Sequence, residues 1–526
     1  MNLYAIILAL IVVTLLTVSL TRLGKVKTKA DYLVAGRSLP AFVLVFTLLS
    51  SWIGSGSLLA AAENGYRHGF AALWTAAGGW AGLALIYFIA PRARHFARYT
   101  IPDLLEVRYN QTARVLGVIA ILFTYTAITS YQFIGGGDIL HLIFPALSAI
   151  QGRCLIAAFV ILLTAIAGMS SVAYTDLAIG LLATFTLCVA LPVLVHKYGG
   201  WSAVHASLPA SHFRIFGDIH PINSYIGSNI LPDGTRERIS SAMELFLPTC
   251  LLMLGNQSMY QKFFSAKSEK DATRAVIGWI IGTILLETVI VALAVAGSAI
   301  FPTGEVHDHP REILAYIGLH AFSPTQTVTT IPHAIGPATV ITTTEVLPPF
   351  ALHMLQLLGA LLVGAIFAKI ISTANNYLFS PATNLVNDIF VRYLKPKASN
   401  KEVLLVSRLM VVFLGLWALY QGLHTESVLK KSLYAYTIYS AALTPVILAA
   451  FYWRRATASA AVASIFTGTF VTVFWDTAFI HAHVPAILAD RDAIFPALIA
   501  SLLCLTIVSL LTPPPNAAHL RAFAEN

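Results

Sequence analysis

The stretch FVLVFTLLSSWIGSGSLLAAAENGYRHG occupies residues 42–69. It is apolar enough to cross a bilayer, for which a helix needs about 20 residues. Its middle, Ser50-Ser51-Trp52-Ile53-Gly54-Ser55-Gly56-Ser57, weakens a helix. Serine hydroxyls compete for backbone hydrogen bonds, and glycine loosens the backbone. One reading is close helix packing through small residues. The other is a broken helix whose freed carbonyls line a cavity, because irregular backbone at membrane depth is tolerated only there.

A second apolar run, residues 241–259, repeats the anomaly. It is interrupted at Pro248 and again at Leu254-Gly255-Asn256-Gln257. Proline removes an amide donor and disrupts the turn before it. The two irregular spans lie five apart. Broken helices at matching places in two halves point to an inverted-repeat secondary transporter.

The whole chain suits that reading. Of its 526 residues 57% are hydrophobic and 11% charged, with mean hydropathy +0.76. Soluble proteins carry about 25% charged residues. Thirteen candidate spans lie near 2–20, 41–62, 69–90, 113–140, 153–168, 174–195, 241–259, 275–300, 347–383, 403–422, 433–452, 458–480 and 491–511. The expected fold is therefore an all-α integral membrane protein with a single transporter domain over 1–526. Spans 41–195 and 241–452 form two five-helix inverted repeats. Residues 2–20 add an N-terminal helix, and 458–511 add two more at the other end. The N-terminus lacks a positively charged leader and a cleavage site, so its span is expected to be retained.

Lysine and arginine sort by side. The first connection holds Arg22, Lys25, Lys27, Lys29 and Arg37, and the third holds Arg92, Arg94, Arg98 and Arg108. The seventh holds Lys262, Lys267, Lys270 and Arg274. The ninth holds Arg392, Lys395, Lys397 and Lys401, and the eleventh Arg454 and Arg455. All are odd-numbered, which places them together on the cytoplasmic side. The expectation is a multi-pass protein of the plasma (inner) membrane with its N-terminus outside and its C-terminus in the cytoplasm.

Several classes are disfavoured. The net charge of +9 is scattered between spans and forms no basic face, so no nucleic-acid partner is expected. No Walker motif points to ATP. No HExxH, GxSxG or convergent acid pair points to an enzyme. The four cysteines lie in apolar runs without zinc spacing.

Polar groups at depth carry the chemistry. In IFAKIISTANN, residues 366–376, Lys369, Ser372, Thr373 and Asn376 share a helix face, with Asn375 beside them. The Ser372 and Thr373 hydroxyls, with carbonyls freed near Ser50 and Ile53, could replace the water shell of a sodium ion. They could equally bond back to their own helix. Asp176, at the start of the sixth span, is either a cation ligand or a helix-start residue. Lys369 would repel sodium. Its side chain is expected to snorkel away; the alternatives are pairing with an acid or occupying the cation position itself. Solute-side candidates are Ser55, Ser57, Tyr131, Gln132, Leu252, Met253, Tyr436 and Tyr439.

These residues resemble the sodium:solute symporter family. The resemblance is carried by DYLVAGRSLP (31–40), the run through the 50–57 break, GMSSVAYTD (168–176) and GNQSMYQKFFSAKSEKDATRA (255–275). It continues in IISTANNYLFSPATNLVNDIF (370–390) and YTIYSAALTPVILAAFYWRRAT (436–457). It implies a LeuT-type fold of about thirteen helices, with Na+ as coupling ion. By the same resemblance, the main sodium site uses carbonyls of Ser50, Ile53 and Lys369 and hydroxyls of Ser372 and Thr373. A second site, present in some members, would use Asp176, Ser372, Asn375 and Asn376. The sequence departs from the family at Lys369, where a small apolar residue is usual, and at Ile179, where glutamine follows the TD motif. Asn375 and Asn376 replace hydroxyl residues. Trp52 stands where proline carriers have aspartate, which argues against close kinship with them.

The expected function is a sodium-coupled importer of a small organic solute, neutral or zwitterionic, working by alternating access. A monomer in the lipid bilayer is expected. The alternatives, raised by Lys369, are a proton-coupled or sodium-independent carrier, or a sensor that kept the fold without turnover.

Overall fold

The computed structural model describes residues 3–23, 34–96, 100–166, 168–217, 235–322, 348–425, 427–475 and 491–515. It also describes residues 31, 328–330, 341–343, 477, 483, 484 and 520. Lys25, Lys27, Lys29 and Arg98 lie outside these, as do much of the two long connections and part of the twelfth expected span.

Among the described residues, eleven helices are long and apolar enough to cross a membrane, and Ala41–Trp52 and Ala458–Phe474 are shorter apolar helices. The helices used below are α1 (Leu3–Leu23), α2 (Ala41–Trp52), α3 (Ala62–His68), α4 (Leu73–Phe96) and α5 (Ile101–Arg108). They continue with α6 (Gln111–Ile143), α7 (Ala149–Ile166), α8 (Met169–Lys197), α9 (Thr235–Gly255), α10 (Gln257–Ser265) and α11 (Glu269–Ile300). The last are α12 (Pro349–Asn384), α13 (Asn400–Leu423), α14 (Val428–Ala442), α15 (Thr444–Tyr452), α16 (Ala458–Phe474) and α17 (Ile494–Leu511). A two-stranded antiparallel ribbon, Val328–Thr330 with Ile341–Thr343, lies in the connection before α12.

The expected second span is broken. α2 ends at Trp52, Ile53 turns extended at φ −82° and ψ 98°, and a π-helical segment, Gly56–Ala61, leads into α3. The expected seventh span breaks between α9 and α10. There Asn256 adopts φ −60° and ψ 111°, and its side chain accepts from the Ser258 amide. Pro248, by contrast, sits inside α9 without ending it. α12 runs on through a second π-helical segment, Leu385–Leu394. The continuous span Pro349–Leu394 has 46 residues. At 1.5 Å per residue it is roughly 70 Å long, well beyond the bilayer core.

Helix packing follows a pairwise pattern. α4 packs on α9 and α11 on α2; α8 packs on α12 and α14 on α6; α7 packs on α6 and α13 on α12. The two broken spans pack on corresponding partners, α2 on α8 and α9 on α14.

Charge clusters hold both ends of α6, the first to the segment after α12 and the second to α7 and the turn after α11. At its start, Arg114 pairs with Asp103, Glu106 and Asp388. At its end, Asp138 faces Arg153 at 3.6 Å and Arg311 at 3.1 Å. Glu312 sits in this second cluster. Burial, then the nearby Asp138 carboxylate, pushes its carboxyl up to about 7, against the opposing pull of Arg311 and His141; Glu305 adds to the rise. A carboxyl raised on folding binds its proton more tightly in the folded state. Stability therefore falls as pH rises from the ordinary carboxylate range to about 7. The thermal midpoint is expected to drop between pH 5 and pH 7.5, and Glu312→Gln to flatten that slope. A slope unchanged in the variant would remove Glu312 as its cause.

Candidate cation and solute sites

The break between α2 and α3 leaves carbonyls without helical partners, and α12 supplies a hydroxyl to them. Thr373 Oγ1 lies 2.8 Å from the Ser50 carbonyl, 3.2 Å from the Ile53 carbonyl and 2.9 Å from the Lys369 carbonyl. A hydroxyl has one proton and can satisfy one of these acceptors at a time. Four oxygens thus converge on a single hydrogen. A hard cation surrounded by oxygens meets such a set better than a hydroxyl proton does. Gly54 makes the approach possible. A Cβ there would stand 2.6 Å from Thr373 Oγ1 and 2.7 Å from Thr373 Cβ and Cγ2.

The far half of the break is held from α6. The Ser55 amide donates to Gln132 Oε1 at 2.8 Å. Gln132 therefore caps the exposed helix start, satisfying an amide that the break leaves without an intrahelical acceptor.

A second polar cluster surrounds Asp176, fully buried on α8. Its carboxylate accepts from Thr47, from Ser372 and from Asn376 Nδ2. Its carbonyl accepts from Ser50 Oγ at 3.1 Å. Two ammonium groups flank it, each one residue removed. Lys262 Nζ donates to Asn376 Oδ1 at 2.7 Å, and Lys369 Nζ donates to Ser50 Oγ at 3.1 Å.

Lys369 does not snorkel. It is fully buried and its ammonium points at Ser50. Ser50 Oγ supplies an acceptor within reach, so the charge need not seek the interface. Lys262, read from sequence as a loop cation, is also fully buried. Ser372 faces Asp176, while Asn375 Oδ1 turns aside to accept from Thr164 on α7 at 2.7 Å. Helical geometry accounts for this, since Asn375 adjoins Asn376, which faces Asp176, and adjacent positions diverge by about 100° around the axis.

The solute-side candidates divide. Ser57 and Tyr436 line a cavity together with Trp52, Ser432 and Glu287. Tyr131 reaches the hydroxyl of Tyr436 at 3.2 Å. Ser55 is held at the break. Leu252 and Met253 are buried in the core and do not line this cavity. Tyr439 serves the second break, where its hydroxyl accepts from the Gln257 amide at 3.0 Å and its ring stacks on Tyr125.

Glu287 was missed in the sequence reading. It sits in the middle of α11, and an acid within an apolar span is itself a signal. Trp52 Nε1 and Trp80 Nε1 donate to its two oxygens at 2.8 Å and 2.9 Å, and Ser57 lies 3.4 Å away. The Trp52 and Tyr436 rings stack with centroids 6.1 Å apart.

Known proteins share this arrangement of helices. A Na+-coupled sialic acid symporter, solved in a substrate-bound outward-open state, superposes with a TM-score of 0.72 at 16% identity, covering 98% of this chain and 99% of that one. The nucleobase-cation-symport-1 family transporter MHP1 superposes with a TM-score of 0.53 at 12% identity, over 95% of this chain and 99% of its own. These likenesses establish a multi-span transporter fold of the inverted-repeat type. The sequence pattern of the sodium:solute symporter family matches residues 32–468. The chain belongs to the sodium:solute symporter family. Relatives include the osmoregulated proline transporter OpuE of Bacillus subtilis (strain 168), 24% identical over 94% of this chain and 92% of its own. The sodium/proline symporter of Staphylococcus aureus is 24% identical over 93% of this chain and 88% of its own. As a member of the family, the protein is a sodium-coupled carrier of a small organic solute, and not an enzyme.

Proposed function

We propose that the coupling sodium ion binds where Thr373 Oγ1 meets the carbonyls of Ser50, Ile53 and Lys369. The observation that carries this reading is the four converging oxygens with one hydrogen among them. The ion would join α12 to the broken α2–α3 span. Ser372 would stand beside the site and hold Asp176 instead of the ion. The ammonium groups of Lys262 and Lys369 take the place of a second sodium ion near Asp176, Ser372, Asn375 and Asn376.

The packing pattern supports a LeuT-type architecture. Contacts of the 41–195 half reappear in the 241–452 half when α4 is exchanged for α11, α6 for α12, α7 for α13 and α8 for α14. Solute would bind beside the first break, in the cavity of Trp52, Ser57 and Tyr436. The remaining parts of the reading are an inner-membrane location, an outside N-terminus and a cytoplasmic C-terminus. They are supported by the cationic residues of the odd-numbered connections, among them Arg108 before α6 and Arg392 after α12.

The test is thermal stability of the purified protein in sodium chloride against potassium chloride at equal ionic strength. Sodium is expected to raise the midpoint in a saturable manner. Thr373→Val, which removes one of four oxygens, is expected to weaken that response about tenfold, as for loss of one good hydrogen-bonding oxygen. Equal midpoints in the two salts would overturn the site.

A further inference from the structure

The geometry points to a solute bearing a cationic nitrogen, received by the Glu287 carboxylate against the Trp52 and Tyr436 rings. This rests on the carrier reading above and names the class of its solute.

Glu287 is 5% exposed and lines the cavity with Trp52, Ser57, Ser432 and Tyr436. Among the described residues, no arginine, lysine or histidine lines that cavity or pairs with Glu287. Its protein partners are two indole N–H groups and a serine hydroxyl, all neutral. Indoles only donate, so both carboxylate oxygens are held as acceptors. An uncompensated carboxylate in such a place is costly unless a positive charge arrives to meet it.

The cavity is built to supply the rest of a cation site. Trp80 occupies one lone-pair position of Oε2, and another remains for an N–H donor. Aromatic faces attract cations through their negative quadrupole, and indole does so most strongly. Trp52 contributes both features at once: its N–H orients Glu287, and its ring stacks with Tyr436 along the cavity wall. Among the described residues, no cationic group lines the cavity to hold a carboxylate. A solute with an ammonium group therefore fits, and a strictly neutral polyol leaves the carboxylate unanswered.

The test uses the full-length protein in sodium chloride with matched probes. Choline is set against its uncharged carbon analogue 3,3-dimethylbutan-1-ol, putrescine against butane-1,4-diol, and tetramethylammonium against tert-butanol. Binding is read by thermal shift and by indole fluorescence. At least one cationic probe is expected to bind the wild type at least tenfold more tightly than its neutral partner. Glu287→Gln is expected to erase that preference, Glu287→Asp to keep part of it, and Trp52→Phe to lower affinity for both members of a pair. The assignment is overturned if wild type and Glu287→Gln behave alike across the panel, including failure of both to bind. It is also overturned if neutral probes bind as well as cationic ones. A sodium-specific shift with no amine preference sinks only this assignment. Loss of the sodium-specific shift itself sinks the carrier site.

Discussion

Gly54→Ala is expected to lower sodium-dependent uptake by at least a hundredfold while leaving a folded protein. The added methyl would stand 2.6–2.7 Å from three atoms of Thr373. Carbon atoms do not approach that closely, so α12 or the break must move. Movement of about an ångström at a site of oriented ligands is enough for losses of that size. Size-exclusion chromatography checks folding, and vesicle uptake with and without a sodium gradient checks function. Gly54→Ala with Thr373→Gly is expected to relieve the clash without restoring sodium dependence, because the hydroxyl is then gone. Uptake near wild type in Gly54→Ala would mean that the break tolerates displacement, and the close approach would lose its functional meaning.

Lys369→Met is expected to tighten apparent sodium affinity about a hundredfold. Two unit charges roughly 6 Å apart repel by about 3 kcal/mol at an effective permittivity near 20. Removing the ammonium removes that repulsion, and methionine keeps the apolar volume. Nothing nearby is orphaned. Ser50 Oγ still donates to the Asp176 carbonyl, and the Asp176 carboxylate keeps Thr47, Ser372 and Asn376. Sodium titrations by thermal shift, in wild type and variant, measure the difference. Sodium dependence that vanishes in the variant would show instead that the ammonium is part of what holds the site together.

Much of this was legible in the sequence because hydropathy and helix breakers act locally. The irregular runs at 50–57 and 254–257 announced the two breaks, and the Ser372-Thr373 pair announced a hydroxyl source. Direction was harder to read. Lys369, Ser372, Thr373 and Asn376 share a face, yet Thr373 enters the break while Ser372 and Asn376 turn to Asp176. That division depends on which helices flank α12, and no local pattern encodes it. Lys262 was misread because its position near the end of a span matched the charge rule for loops. It is buried with the rest of α10, and its ammonium finds its partner in Asn376, 114 residues away. Glu287 was hidden by the apolar length of its own helix, although its charge stood in plain view.

The partners of the two sites divide the molecule along a seam. Trp52, Ser57, Trp80 and Glu287 belong to α2, the segment leading to α3, α4 and α11, which pack on one another. Thr373 and Lys369 belong to α12, whose continuation is fastened to the start of α6 by the pairing of Asp388 with Arg114. A solute gripped at Glu287 would therefore lean on the first body and meet the second through Tyr436, since α14 packs on α6. The ion, held between the Ser50 and Ile53 carbonyls and α12, would sit across the join like a bolt, and its release would free the two bodies to part.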